Sequence, residues 1–276
     1  MKILVPLKQV ADPDNADRVR ICAGGTRLDD SALERQVNPF DEYALEAALR
    51  LTEDAREPRT RLGEVIAVTF GPTDTETMLR GALATGADRA LRVDATDDIL
   101  DAGLVALALA KLARRESADL VLMGKQTVDG DGNEVAQRLA GVLDWPQATF
   151  AATIRQDSPS GLTVGREVDG GVHAIQLLLP AVISVDLRIV AKDSVASLAT
   201  RPGHEYQPGV RFSTLPAIMQ SRKKLIEQLE LAELVGSRRA QVRHVGYVAP
   251  EVRGVGRVVE SPTELVRLLS TEAKVL

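Results

Sequence analysis

The stretch that most limits the possible folds is residues 119–137, DLVLMGKQTVDGDGNEVAQ. Five largely aliphatic residues predict a buried strand, and a helical pattern begins near Glu134. The loop between them contains Gly124, Gly130 and Gly132, and Asn133 is placed to cap the helix. Ligands of open α/β sheets bind outside the carboxyl ends of strands, where helix N-termini favour phosphate. The loop therefore predicts a nucleotide site or, alternatively, an ordinary turn, since neither GxxxxGK[ST] nor GxGxxG is present.

Strands and helices alternate along the first half of the chain. Aliphatic runs predict strands, and 3.6-residue apolar periodicity predicts helices. The predicted elements are strands at 1–7, 65–70, 90–93 and 119–123 and helices at 40–51, 75–85, 98–115 and 134–143. This order indicates βαβ units and a parallel sheet. We therefore expect an α/β fold with a Rossmann-like, nucleotide-binding core.

The pattern changes after residue 146. Strand-like runs at 151–154, 162–168 and 174–179 predict hairpins, and 180–187 predicts another buried strand. The remaining expectations are a long loop at 188–210, a helix at 217–234, strands at 241–248 and 257–260, and a last helix capped by Ser261 with Glu264. The predicted domains are an α/β domain at 1–188, an extended arm at 189–235 and a C-terminal segment at 236–276.

Composition limits the class of function. A net charge of −5 argues against nucleic acid as a partner. One cysteine and three scattered histidines predict no metal site, and no side-chain constellation predicts catalysis. The N-terminus lacks a signal peptide pattern, and no apolar run is long enough to span a bilayer. We expect a cytoplasmic protein without direct membrane insertion.

Two further segments are candidates for a ligand site. Asn38 and Pro39 precede a helix, and a cap with proline at the first helical position explains both. Phe40 is less expected there unless it packs as a hydrophobic staple. Phe70 ends a strand before Gly71-Pro72, a pattern that equally predicts a plain turn.

Residues 215–224, LPAIMQSRKK, combine apolar side chains with a basic cluster. A solvated surface helix is the usual explanation of such a charge run. The alternative is a docking element, because leucine, isoleucine and methionine make an adaptable contact surface. Leu215 then either contacts a partner or packs against its own helix.

Several long motifs carry a family resemblance. They are NPFDEYALEAALRL at 38–51, TFGP at 69–72, LRGALATGADRALRV at 79–93, ADLVLMGKQTVDGDGNEVAQRLAGVLDWPQATFA at 118–151, REVDGG at 166–171, LPAVISVDLR at 179–188 and TLPAIMQSRKK at 214–224. In this order they resemble the beta subunit of electron-transferring flavoproteins. The resemblance runs from Met1 to the C-terminal helix and implies an adenine nucleotide hydrolase-like core with a C-terminal arm.

The resemblance implies a heterodimer with an alpha subunit that holds a redox-active FAD, and an AMP, or a second FAD in bifurcating members, in the beta subunit. It also implies electron donors such as acyl-CoA dehydrogenases of fatty acid oxidation, a quinone oxidoreductase as acceptor, and contact of Phe40 with the partner's flavin. The implied nucleotide contacts are Pro6, Asn38, Pro39, Phe40, Asp41, Phe70, Gly124, Lys125, Gln126, Thr127, Val128, Asp129, Gly130, Asp131, Gly132, Asn133, Glu134 and Val135. The implied partner contacts are Leu215, Pro216, Ile218, Met219, Lys223 and Lys224.

The chain departs from the family pattern at three places. Val135 stands where threonine is frequent, Pro13 lies near a position that is aromatic in some members, and residues 190–210 form a longer segment. Two other classes remain as alternatives. One is a stand-alone nucleotide-binding regulator resembling universal stress proteins. The other is a nucleotide-processing enzyme that would depend on Lys125, Asp129 and Asp131.

Overall fold

A computed structural model describes residues 1–54, 57–249, 251, 254 and 256–276. These residues fall into two compact units. The first unit is Met1–Arg20 with Asp29–His244, and the second is Ile21–Leu28 with Val245–Leu276. The large sheet and every predicted site residue belong to the first unit.

The strands are β1 (Lys2–Pro6), β2 (Gln9–Ala11), β3 (Arg20–Ile21), β4 (Leu28–Asp29), β5 (Arg35–Val37), β6 (Glu53–Asp54), β7 (Glu57–Arg61), β8 (Glu64–Phe70), β9 (Arg89–Asp94), β10 (Leu120–Gly124), β11 (Gln147–Ser158), β12 (Gly161–Val168), β13 (Gly171–Leu178), β14 (Ala181–Val185), β15 (Val195–Ala196) and β16 (Ile226–Glu230). The helices are α1 (Pro39–Thr52), α2 (Glu76–Thr85), α3 (Ala102–Glu116), α4 (Val135–Leu143), α5 (Leu215–Ser221), α6 (Leu231–Val235) and α7 (Pro262–Leu268).

The central sheet has the order β13-β12-β11-β14-β10-β1-β8-β9-β16, with β15 added beside β11. Neighbours from β14 to β16 pair in parallel, and β11, β12 and β13 form antiparallel hairpins. The predicted α/β fold with a mostly parallel sheet and two later hairpins is confirmed.

The central parallel strands of the sheet are buried on both faces. Ile3 and Val5 of β1 join one hydrophobic cluster with α1 and α2, whereas Leu4 joins another with α3 and α4. All three side chains are fully buried. Since each face of the sheet is covered by helices, its central strands consist of continuous aliphatic runs rather than alternating ones.

The single helix predicted at 217–234 is wrong. Helix α5 ends at Ser221, and β16 follows before the short α6. Strand β16 pairs in parallel with β9 from Ile226 to Glu230. Hydrogen bonding to the open edge of a sheet outweighs the helix propensity of a sequence such as IEQLE, which is a weak preference.

The strands predicted at 241–248 and 257–260 are also wrong, because the structure describes these residues without strand pairing. The last helix is confirmed as α7, where the Glu264 N–H donates to Ser261 Oγ at 3.2 Å. The Glu264 carboxylate accepts the N–H of Glu260 rather than that of Ser261, so the predicted capping box is shifted by one residue.

Residues 188–210 are mostly irregular, but β15 lies within the predicted loop and pairs with β11, and the segment is fixed to α1. Arg50 is fully buried and donates to Glu46 Oε1 at 2.8 Å, to Ala191 O at 2.6 Å and to Gln207 O at 2.8 Å. Arg211 then pairs with Glu46 at 2.7 Å and with Glu53 at 2.8 Å. Arg50 of α1 therefore holds backbone carbonyls near both ends of this segment, and buried Glu46 and Glu53 hold Arg211 directly after it. Its assignment to a partner-binding arm stays a prediction.

We predict that Arg50→Met lowers the free energy of unfolding by about 3–5 kcal/mol, because it leaves buried carbonyls and part of a buried carboxylate without a donor. Urea unfolding measures this loss. Arg155→Met is the control, since the Arg155 side chain is 68% exposed and its pairing with Asp157 should contribute less than about 1 kcal/mol. Equal unfolding free energies for the two variants would contradict the role given to Arg50.

Candidate functional site

The carboxyl ends of β10, β1 and β8 lie side by side, because these strands are adjacent and parallel. The segments that follow them are therefore brought to one edge of the sheet. Lys8 lies beyond β1, Gly71 beyond β8 and Lys125 beyond β10. The candidate site is built at this edge.

Asn38 connects α1 to the loop after β10. Its side chain is fully buried; Nδ2 donates to Gln126 O at 2.9 Å, and Oδ1 accepts the Val128 N–H at 3.2 Å. Asn38 is the N-cap residue of α1 and Pro39 begins the helix, as predicted, but the Asn38 side chain makes no capping bond. The first turn is instead closed by its backbone carbonyl, which accepts the N–H groups of Asp41 and Glu42. Asn38 thus uses both ends of its amide to set the path of the loop.

Asp41 makes a second connection, three residues further along α1. Its carboxylate accepts the Lys8 N–H at 2.8 Å and the Gly124 N–H at 3.2 Å. Burial raises the pKa of Asp41 to about 7, against the opposing effect of these hydrogen bonds. One carboxyl group therefore joins the ends of two neighbouring strands to α1.

Gly124 is required for this close approach. A Cβ at Gly124 would lie 2.5 Å from Asp41 Oδ1 and 2.7 Å from Phe40 Cβ. The contact is with the backbone end of Phe40, which cannot move without moving α1. The first glycine of the loop is thus needed for packing within the chain.

The end of the loop presents backbone donors. Asp131 and Asn133 have φ values of 48° and 41°, and they alternate with Gly130 and Gly132. The N–H groups of Gly130 and Asp131 donate to Thr127 O, so the donors available to an anion are those that follow, at the start of α4. Helix α4 begins directly afterwards, and Glu134 at its N-cap makes no capping hydrogen bond. The predicted cap by Asn133 is wrong, because Asn133 instead accepts hydrogen bonds from Gln137 Nε2.

Two lysines border the loop, and each has a carboxylate partner. Lys8 Nζ lies 2.6 Å from Asp129, and Lys125 Nζ lies 2.7 Å from Asp186. The Lys125 ammonium is also 5.0 Å from the centre of the Phe40 ring. Within the described residues, no group of three histidine, cysteine, aspartate or glutamate side chains could hold a metal ion. Both lysine charges are already balanced, so backbone N–H groups rather than these lysines are the donors left for an anion.

The structure places the other predicted nucleotide contacts on several elements around the loop. Phe70 lines a cavity of about 150 Å³ together with Lys8, Gly71 and Pro72. Pro6 ends β1 beside Val68. Within the loop, the Gln126 side chain donates to Asp131. At its end, Glu134 points outward and pairs with Arg138, whereas Val135 packs against the hydrophobic core.

Sequence reasoning missed Lys8 and Asp186. Each follows a parallel strand, Lys8 after β1 and Asp186 after β14, so the rule that ligands bind at carboxyl ends would have found them. Their partners could not be found in this way, because the Lys8–Asp129 and Lys125–Asp186 pairs join residues far apart in the sequence.

The predicted docking segment, 215–224, forms α5 and the turn after it. Leu215 is 72% exposed and Met219 is 58% exposed, so packing of Leu215 against its own helix does not account for its position. Thr214 caps the helix and Pro216 occupies its first turn. Lys223 is exposed, but the Lys224 ammonium donates to Ala87 O at 2.9 Å and is tied to its own chain.

Comparison with known proteins gives a consistent result. The model of the electron transfer flavoprotein domain matches residues 26–234. The mitochondrial electron transfer flavoprotein subunit beta of Oryza sativa subsp. japonica is 39% identical over 280 residues, covering 100% of both chains. The subunit beta proteins of Homo sapiens and Bradyrhizobium diazoefficiens are 37% and 35% identical, covering 98% and 100% of this chain and 96% and 100% of their own.

No helix among the described residues has the length and apolar character needed to cross a bilayer.

The raised pKa of Asp41 predicts a pH dependence of stability. Since the folded pKa of about 7 exceeds the ordinary value of 3.8, protonation favours the folded state. The free energy of unfolding that protonation of Asp41 contributes is complete below about pH 4. It declines as the pH rises and is lost above about pH 7. Relative to Asp41→Asn, the wild-type free energy of unfolding should fall by roughly 2–3 kcal/mol between pH 5 and 7.5.

Urea unfolding of both proteins across this range measures the difference. The asparagine amide cannot accept both backbone N–H groups. The variant's free energy of unfolding should therefore also be lower by a constant amount that does not change with pH. Parallel pH profiles for the two proteins would show that Asp41 keeps an ordinary pKa.

Proposed function

Because this chain belongs to the electron transfer flavoprotein family, among its beta subunits, we propose that it binds an adenine nucleotide at residues 124–135. We further propose that it acts in a heterodimer with an alpha subunit that holds the redox-active FAD. The observation that carries the nucleotide assignment is the double attachment of the loop to α1 through Asn38 and Asp41. A loop fixed from behind in this way presents its N–H groups in a preformed arrangement.

The residues present suit a nucleotide phosphate. The N–H groups at the N-terminus of α4 supply neutral donors, and the dipole of α4 adds positive potential. Val135 offers no hydroxyl to the phosphate, so backbone N–H groups supply the binding at this position. Phe70 borders a cavity that is otherwise lined mainly by polar side chains, among them Lys8 and Gln9, which offer hydrogen bonds to a base or a sugar.

AMP is the nucleotide that we propose for this subunit, with FAD as the alternative. The segment GNEVAQRLAGVLDWPQATFA resembles the housekeeping class, whose beta subunits hold AMP. In this role the nucleotide stabilises the folded chain, since a ligand that binds only the folded state adds to its stability.

The subunit is an electron carrier rather than a catalyst in its own right. The flavin, when bound by the heterodimer, supplies the electron chemistry, and the chain contributes binding and orientation. Phe40, fixed at the start of α1 beside Lys125, is the side chain that we assign to contact with the partner's flavin. The proposed donors are acyl-CoA or other dehydrogenases, the proposed acceptor is a quinone oxidoreductase, and the proposed location is the cytoplasm. A stand-alone stress-protein-like regulator is not favoured, because the full-length relatives are named as beta subunits.

Dehydrogenase docking is assigned to the exposed face of α5. Leu215 projects from a turn that Thr214 and Pro216 stiffen, so little conformational entropy is lost when it enters a pocket. Ile218 and Met219 extend the apolar contact. Lys223 remains free to attract an acidic partner, whereas Lys224 is tied to Ala87 and should contribute less.

Gly124→Ala should lower the nucleotide content of the purified heterodimer, because the added Cβ displaces Asp41 or Phe40 and with them the loop. Nucleotide released by acid and quantified per chain measures the effect. Gly141→Ala is the matched control, since this residue of α4 lies outside the loop and a Cβ there meets no atom within 4 Å, and it should retain the wild-type content. Full nucleotide content in a folded Gly124→Ala protein would refute the assignment of the loop.

Leu215→Ala should lower kcat/KM for dehydrogenase-dependent reduction by about 10- to 100-fold, as expected of a central apolar contact. Flavin content and melting temperature should stay unchanged, because the side chain is exposed. Leu62→Ala is the control, since Leu62 is 54% exposed and lies before the amino end of β8, at the opposite edge of the sheet. Normal reduction kinetics with Leu215→Ala would exclude this docking site.

A further inference from the structure

A second cavity lies beside the nucleotide loop, on the side of the antiparallel hairpins. Its volume is about 320 Å³. The lining residues come from α4, β11 and β12 and are Gln137, Gln147, Thr149, Phe150 and Arg166. None of them is a predicted nucleotide or docking residue.

The backbone at Phe150 is strained. The pairing of β11 with β14 shifts register between Ala148 and Ala151, and Phe150 has a φ of 56°. A bulky residue seldom adopts this left-handed conformation, and bulges of this kind re-aim a side chain. Here the ring is placed between two cations, 5.5 Å from Lys125 Nζ and 6.0 Å from the Arg166 guanidinium carbon. The distortion thus brings an aromatic face to Arg166.

Gln137 presents a buried acceptor without a donor. Its Nε2 donates to Asn133 O at 3.0 Å, and this backbone carbonyl fixes which end of the amide is the donor. Gln137 Oε1 is then left buried and unpaired. A buried acceptor in this state costs about 1–3 kcal/mol unless a ligand supplies a donor.

Arg166 presents an unpaired donor to the same cavity. Its Nε is buried without a hydrogen-bond partner, and within the described residues no carboxylate pairs with its guanidinium. Lys125, the other cation near Phe150, is neutralised by Asp186 at 2.7 Å. The cavity therefore has one uncompensated positive charge, which is unfavourable in a partly buried position unless an anion binds there.

The surroundings of the cavity indicate a polypeptide as the source of that anion. Strand β13, which pairs with β12 on the side away from β11, is the edge strand of the sheet. It exposes Val172 at 58% and Leu178 at 70%. An eight-residue edge strand with exposed apolar side chains favours self-association unless another chain covers it.

We propose that this cavity receives a carboxylate side chain of the alpha subunit, which pairs with Arg166. A neighbouring N–H of that subunit donates to Gln137 Oε1, and its apolar residues cover β13. The inference rests on the proposed heterodimer. In this proposal Arg166 gains a carboxylate partner only when the subunits associate. Its charge therefore stabilises the heterodimer rather than the fold of this chain.

The test is the subunit dissociation constant of the purified heterodimer. Arg166→Gln should raise it by about 30-fold or more, because truncating one member of a desolvated charge pair leaves the other unpaired. Arg166→Lys should have an intermediate effect, since it keeps the charge but loses the planar fork. Arg155→Gln is the control and should stay within about 3-fold of wild type, because Arg155 is an exposed residue of the adjacent strand β11.

The melting temperature of the chain without its partner separates assembly from folding. Arg166→Gln should leave it unchanged or raise it, because the variant removes an uncompensated charge. A lower melting temperature, or a dissociation constant within 3-fold of wild type, would overturn the proposal. A third outcome would also overturn it. Millimolar glycolate would stabilise the wild-type chain but not Arg166→Gln, and the two proteins would bind the alpha subunit equally well. The site would then bind a small carboxylate rather than the partner. If the wild-type chain forms no flavin-containing complex with an alpha subunit, the proposed function itself fails.

Discussion

The amino end of α1 is tied to the strand ends beneath it, and the arrangement of the site depends on this connection. Asn38 binds the loop after β10 through both ends of its amide, and Asp41 binds the backbone beyond β1 and at the end of β10. The parallel sheet brings these strand ends together, but it does not set the path of the loop. Two buried polar side chains set that path, and Gly124 gives them the space they need. Because these groups are buried, losing one partner leaves the other without compensation.

Much of the fold could be predicted from local sequence. The aliphatic runs of β1, β8, β10 and β14 indicate strands that are buried on both faces, and the periodicity of α1 to α4 indicates the helices that cover them. The prediction failed where a distant partner decides the structure. Residues 226–230 favour helix locally, yet they become β16 because β9 offers an open edge. No local rule describes that edge.

The same limit applies to the site. The glycine loop was found because loops at strand ends have a local signature, and Phe40 because an aromatic residue is unusual directly after a helix cap. Asn38 was identified as a site residue and as the N-cap of α1, but its side-chain contacts were not predicted, since its partners Gln126 and Val128 lie far along the chain. The cavity at Arg166 could not have been predicted, because the bulge at Phe150 and the orphaned Nε arise only when β11, β12 and α4 pack together. Buried polar atoms without partners have no sequence pattern.

The central claim is that this preformed loop holds an adenine nucleotide in the assembled protein. The most direct test is to release and identify by mass spectrometry the small molecules bound to the heterodimer purified without added nucleotide. We predict one AMP for each copy of this chain, in addition to the FAD of the alpha subunit. A folded heterodimer that carries its full FAD but no further adenine nucleotide would contradict the account.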